Sequence, residues 1–141
     1  MQLKDKLTII IPSYNEEKYI KRTLLSIINQ IGINGVRIIV ADANSTDNTR
    51  EIINKFNDDF LYKNVEIVNG GKVAYGRNVA SKLVNTEYIL FIDADEILYN
   101  ERNIIDNMNE MVNLNLDLLT IKVKSYGDDI RTKLMFKIFN I

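Results

Sequence analysis

Apolar positions in this chain fall into short unbroken runs that alternate with stretches of helical spacing. Leu7-Thr8-Ile9-Ile10-Ile11 is a β-branched run closed by Pro12, the sole proline, whose missing N–H suits the end of a strand. Ser13-Tyr14-Asn15 makes a polar turn, and a helix is expected from near Glu16, with Ile20, Leu24, Ile27, Ile28 and Ile31 on its apolar face. Gly32 and Asn34-Gly35 stop it. Val36 to Ala41 reads as a second strand ending on Asp42. The capping-rich stretch Asn44 to Thr49 then leads into a helix through about Phe56, with Ile52, Ile53 and Phe56 inward. Val65 to Val68 is a third strand, closed by Asn69-Gly70-Gly71-Lys72, and a third helix is expected over roughly Tyr75 to Val84. Tyr88-Ile89-Leu90-Phe91-Ile92 is continuous enough to predict a strand buried on both faces. A fourth helix is expected over about Glu101 to Asn113. Further strands are expected over Leu116 to Lys124 and Lys133 to Phe139, with Gly127-Asp128-Asp129 as the turn between them. Strand and helix alternate four times, which predicts an α/β fold with a mainly parallel, doubly wound sheet.

The polar chemistry gathers where the strands stop. The fourth run ends in Asp93-Ala94-Asp95-Glu96. Two carboxylates two residues apart point the same way in extended backbone, and at the carboxyl edge of a sheet they suit a divalent cation that also holds a phosphorylated ligand. Taken alone, the same aspartates read first as caps for a following helix. Asp42 to Ser45 does not continue as a calcium hand, because Asp47 stands where glycine is needed and Ile53 where glutamate is needed. No G-x-G-x-x-G follows the first strand, and no Walker A loop is present. Gly70-Gly71-Lys72 reads either as a plain turn or as amides and an ammonium that approach a phosphate. Asn44-Ser45-Thr46 is formally a glycosylation sequon.

Composition narrows the chemistry. At 141 residues the chain is expected to form one domain, and 46% hydrophobic with 26% charged residues is ordinary for a globular protein. A net charge of −1 without a basic block gives no nucleic-acid footprint. The chain has no cysteine, so thiol nucleophiles and thiolate metal sites are excluded. It has no histidine, so carboxylates are left as the acid and base groups. Charged residues at Lys4, Asp5 and Lys6 do not suit a signal peptide, and no run is long enough for a membrane span. A cytoplasmic domain is expected, with peripheral association at the cytoplasmic face of a membrane left open.

Four segments together resemble a known family. Pro12-Ser13-Tyr14-Asn15-Glu16-Glu17 is similar to the opening motif of family 2 glycosyltransferases, which have the GT-A fold. Asp42-Ala43-Asn44-Ser45-Thr46-Asp47-Asn48-Thr49 resembles the family's V-D-D-G-S-T-D-x-T segment, and Gly76-Arg77-Asn78 its A-R-N segment. Tyr88 to Asp95 resembles its Y-I-L-F-L-D-A-D strand and DxD motif. The motifs stand in the family's order and cover about Leu7 to Leu98. This implies a nucleotide-sugar part over residues 1–98 and a short start of an acceptor-side part over 99–141.

The resemblance implies transfer of a sugar, with inversion, from a nucleotide-diphosphate sugar (UDP favoured) to an unidentified glycan, lipid-linked or protein acceptor. Pro12, Ser13 and Tyr14 would hold the nucleoside, Tyr14 lying near the base, with Glu16 in the same turn. Asp42 would accept a hydrogen bond from the base, and Arg77 would lie beside the diphosphate, with Lys72 and Ala94 also on the nucleotide. Asp93 and Asp95 would hold Mn²⁺ or Mg²⁺, Asp95 as the direct ligand and Asp93 through ribose or a metal-bound water. Ala43 and Asn44 depart from the family's second Asp and its Gly, although asparagine tolerates left-handed backbone. Lys133 to Phe139 loosely resembles the family's R-L-F-R strand, with the intervening acceptor region shortened. The catalytic base is unassigned: Asp128 and Asp129 are candidates only as loop carboxylates, and a solvated turn is the better reading of them. Two rivals remain. A sugar-phosphate nucleotidyltransferase needs a Gly-rich, Arg-containing first loop, which Pro12 to Asn15 does not match. A nucleotide-sugar-binding module or inactive fragment would keep Asp42 and the DxD pair and lack the base.

Overall fold

The computed structural model describes residues 2–120. Within them, strands β1 (Leu7–Ser13), β2 (Arg37–Asp42), β3 (Val65–Asn69) and β4 (Tyr88–Phe91) alternate with helices α1 (Ile20–Ile28), α2 (Thr49–Asp59), α3 (Val73–Ser81) and α4 (Asn103–Leu114). A 3-10 turn, Leu3–Asp5, precedes β1. The strands form one sheet in the order β3-β2-β1-β4, with every ladder parallel. The expected parallel α/β fold is therefore the observed one. The backbone divides into two compact units, Met1–Asp106 and Asn107–Ile141. The strands, the first three helices and the loops that join them all belong to the first.

The two central strands are covered on both faces. All of β1 is buried, and so is β2 beyond Arg37. Ile10, Ile39 and Ala41 form one core cluster with Ala80 of α3, and the alternate positions Ile9, Ile11, Ile38 and Val40 are also fully buried. α3 sits close to the sheet because Gly76 faces Ala41, where a Cβ would already touch the Ala41 methyl at 3.4 Å.

Three expectations are corrected. The Tyr88–Ile92 run is not buried on both faces: Ile89 is 37% and Phe91 43% exposed, and Ile92 lies beyond the strand. Among the described residues β4 pairs with β1 alone, and an apolar run carries no signal that separates a central strand from a flanking one. The first helix begins at Ile20 instead of near Glu16; the left-handed Asn15 precedes a turn whose Glu16 and Glu17 amides donate to Thr49 and Asp47 of the next loop. With the helix over by Ile28, Ile31 leaves the apolar face and is 43% exposed. The helix stops at Asn29, before the glycines expected to end it; Gly32 and Gly35, at φ 79° and 81°, shape the turns that follow. Residues 116–120 hold no strand; the rest of the expected Leu116–Lys124 strand, the Asp128-Asp129 turn and the Lys133–Phe139 strand lie outside the described residues.

Candidate nucleotide-sugar site

The parallel register brings the polar strand ends level: Ser13 of β1 pairs with Asp42 of β2, which pairs with Asn69 of β3. Asp42 is 0% exposed. Its Oδ1 accepts from the hydroxyls of Ser13 at 2.9 Å and Ser45 at 2.5 Å. Its Oδ2 accepts from the Ser45 amide at 3.0 Å and from Arg50 Nη1 at 2.8 Å. Burial pushes the carboxyl's pKa up, yet these bonds outweigh it and hold the group below its ordinary range. The acceptor positions of Asp42 are thus filled by the chain's own donors. A base could reach this carboxylate only if one of them moved, and Arg50, 39% exposed, is the one at the surface.

The first two loops are laced to each other. Ser45 accepts from the Asn15 amide at 2.9 Å, and Asn15 Oδ1 accepts from the Thr46 amide at 2.8 Å. Glu17 accepts from the Asn48 amide at 3.0 Å, and Thr49 accepts from the Glu16 amide at 2.7 Å. Asp47, just ahead of the α2 N-cap Asn48, accepts from the Thr49 amide at 3.0 Å and hydroxyl at 2.5 Å. Both turns need left-handed backbone, which Asn15 (φ 56°) and Asn44 (φ 59°) supply, so the Asn in place of the usual Gly keeps the turn.

Beside these loops opens a cleft of about 550 Å³. Pro12, Ser13, Tyr14, Glu16, Lys72, Asp93, Ala94 and Asp95 line it, so most of the residues singled out from the sequence share one wall system. Ala43, Gly71 and Val73 complete the lining; Gly71 belongs to the Gly70-Gly71-Lys72 segment that reads as a turn or a phosphate approach, while Ala43 and Val73 carry no expected role. Asp42 lies behind the lining. Arg77 is not on the cleft wall either. Its Nη2 donates to Asp93 Oδ1 at 2.5 Å, with the guanidinium 5.6 Å from the Phe91 ring centre, so the cation expected at a diphosphate is engaged with a carboxylate. Its buried Nε has no partner among the described residues.

The carboxylates of the fourth loop have different surroundings. Asp93 is tied by Arg77, and its amide donates to Glu96 Oε2 at 2.9 Å while the Glu96 amide returns to the Asp93 carbonyl at 3.0 Å. Asp95 is exposed, and no hydrogen bond or ion pair to a described residue engages it. Burial raises the pKa of Glu96, as do the charges of Asp93 and Asp95. Glu16 is likewise raised, by burial first and then by Asp95, Asp47 and Asp93, which puts it at the carboxylate end of the cleft. Among the described residues no three such groups converge closely enough to hold an ion alone. The hard oxygens of Asp93 and Asp95 still fit a cation whose remaining positions are filled by water or phosphate. Ser45, Arg50 and Glu96 were given no role from the sequence. Only the i, i+3 reach of Glu96 back to the Asp93 amide had a local signal.

Gly70 stands where β3 turns towards the cleft, and a Cβ there would lie 2.8 Å from the Ala41 carbonyl oxygen. Gly70→Ala must displace backbone. It is expected to cost about 1–3 kcal/mol and to weaken nucleotide binding as the Gly71-Lys72 wall shifts, measured by urea melts and calorimetry.

Known proteins of like sequence and shape are consistent with this geometry. The chain is 32% identical over 134 residues to the poly(ribitol-phosphate) β-N-acetylglucosaminyltransferase TarS of Staphylococcus aureus, covering 94% of this chain and 23% of TarS. It is 38% identical over 101 residues to the poly(ribitol-phosphate) β-glucosyltransferase of Bacillus spizizenii, covering 68% of this chain and 16% of that protein. The chain therefore spans about a quarter or less of these relatives. The crystal structure of TarS in complex with UDP-GlcNAc superposes with a TM-score of 0.76 at 31% identity, over 89% of this chain and 36% of that one. The mannosyltransferase PcManGT of Pyrobaculum calidifontis, 22% identical with a TM-score of 0.70, shares the fold over 75% of this chain and 32% of its own. The model of the family named Glycosyl transferase family 2 matches residues 8–137, and with these likenesses the chain belongs to that family and has its GT-A fold.

Proposed function

We propose that this chain is the donor-binding part of a glycosyltransferase that transfers a sugar, with inversion, from a UDP-sugar to an acceptor hydroxyl and depends on Mn²⁺ or Mg²⁺. The observation that carries the reading is the cleft itself. Nucleoside-type walls (Pro12, Ser13, Tyr14) and the carboxylates Asp93 and Asp95 line one space in a chain of this family. The solved complex of TarS with UDP-GlcNAc supports a uridine donor. The names of the two relatives make a polyol-phosphate polymer the first acceptor to try. Residues 1–98 are the donor part in this reading, acting in the cytoplasm.

Tyr14, 58% exposed, offers its ring to the base, and Ser13 and Ala43 form the floor at that end. Asp42 joins the base end through displacement of Arg50. Lys72 faces the phosphates as a point charge. Asp95, with Asp93 beside it, would hold the divalent ion, which when bound supplies positive charge to the leaving diphosphate. Arg77 pairs with Asp93 and fixes its aim. The general base is unassigned, because Asp128 and Asp129 lie outside the described residues.

Calorimetry with UDP- and GDP-sugars, with and without Mn²⁺ or Mg²⁺, run beside a donor-hydrolysis assay, tests the proposal. Metal-dependent binding that favours UDP-sugars is expected. No nucleotide binding under any condition overturns it, and metal-dependent binding without turnover reduces the chain to a binding module.

A further inference from the structure

α1 carries a second pattern that its apolar periodicity hides. Thr23 and Ser26, three residues apart, share one face of the helix, and Gln30 follows just past its end. Each bonds the segment after β4, in order along it. Thr23 Oγ1 donates to the Ala94 carbonyl at 2.6 Å. Ser26 Oγ accepts from the Leu98 amide at 3.1 Å. Gln30 donates to the Asn100 carbonyl at 2.9 Å and accepts from the Ile104 amide at 3.2 Å. Thr23 is 0% and Gln30 4% exposed; the bonds to the Ala94 carbonyl and from the Ile104 amide are buried, and the other two are partly so. The segment they grip has no strand ladder of its own and becomes helical only at Asn103.

The first of these contacts bears on the cleft. Ala94 stands between the two carboxylates, and its carbonyl shares a rigid peptide plane with the amide of Asp95. Asp93 has independent anchors in Arg77 and Glu96, whereas the Asp95 side chain has none among the described residues. The direction of Asp95 is therefore set by its backbone, and the Ala94 carbonyl of that backbone is held by a fully buried hydroxyl from another element. We infer that Thr23 is a positioning residue for Asp95, acting through the Ala94–Asp95 peptide. The inference rests on the proposed metal-dependent binding and assigns one of its causes to a residue outside the cleft.

The test compares UDP affinity in Mn²⁺ with UDP affinity in EDTA for the full chain and for two variants. Thr23→Val keeps the shape and loses the donor; Thr23→Ser keeps the donor. Thr23→Val is expected to lose about tenfold of the gain that Mn²⁺ gives, with its EDTA affinity unchanged, and Thr23→Ser to stay within about twofold of wild type. A merely structural threonine would lower the melting temperature and leave the gain in place. A full gain in Thr23→Val, or an equal loss in Thr23→Ser, overturns the inference while the proposed function stands. No gain in the wild type overturns the metal reading and this inference with it. Should Thr23→Val fail to fold, Thr23→Ala removes the same hydroxyl, and the same outcomes apply.

Discussion

Asp95→Ala is expected to abolish the metal-dependent part of UDP-sugar binding and to slow donor turnover by about 10²- to 10³-fold, about 3–4 kcal/mol of transition-state stabilisation. The large functional effect comes with almost no structural one. Asp95 is exposed and bonds no described residue, so its removal leaves no buried donor unpaired, and the unfolding free energy should move by less than about 0.5 kcal/mol. Asp93→Ala separates the two kinds of cost. It also removes the partner of Arg77 and the charge beside Glu96, so it should perturb both binding and stability. Calorimetry in Mn²⁺ and in EDTA, with urea melts on the same samples, distinguishes them. If Asp95→Ala kept its metal-dependent affinity, the ion would have to bind elsewhere.

Asp42→Ala should behave in the opposite way, with stability lost first. The carboxylate is buried, and removing it strands the buried hydroxyl of Ser13 and leaves both donors of the half-buried Ser45 without their acceptor. Each buried unsatisfied donor costs about 1–3 kcal/mol, and water reaching the half-exposed Arg50 relieves part of the total. A net loss of about 2–4 kcal/mol is expected. Acid should reveal the same group. Its folded pKa lies below the unfolded value of about 3.9, so its contribution is complete above that value. The contribution is lost as pH falls through the folded pKa. Urea melts at pH 3 and pH 7 should therefore show an acid loss that is smaller in Asp42→Asn, which cannot protonate. An equal acid loss in both proteins would place the acid-sensitive group elsewhere.

Much of this protein can be read from local pattern. The strand runs at Leu7, Val36, Val65 and Tyr88 are each found within a residue or two, because β-branched runs stopped by Pro, Asp or Gly leave little else for the backbone to do. The polar residues that follow all four strands line the cleft or lie directly behind it, since a parallel βα series places every strand's carboxyl end on one edge. Asn44 was read correctly as a substitute for glycine, because left-handed backbone is a property of one residue and its neighbours.

What that pattern could not supply concerns partners distant in sequence. Arg77 looks like a phosphate ligand along the chain, and only the packing of α3 on β1 and β2 brings it to Asp93. Asp42 looks like a free acceptor, and only the convergence of Ser13, Ser45 and Arg50 saturates it. Thr23, Ser26 and Gln30 read as polar interruptions of an apolar helix until the segment after β4 lies against them. The reason is the same each time. Strand periodicity, caps and turns are set by contacts within a few residues, whereas a carboxylate's charge state and aim depend on donors brought from far along the chain. Asp93 and Asp95 show both sides: their spacing and place at a strand end are written in sequence, but one is held by an arginine and the other bonds no described residue, and that division exists only in the fold.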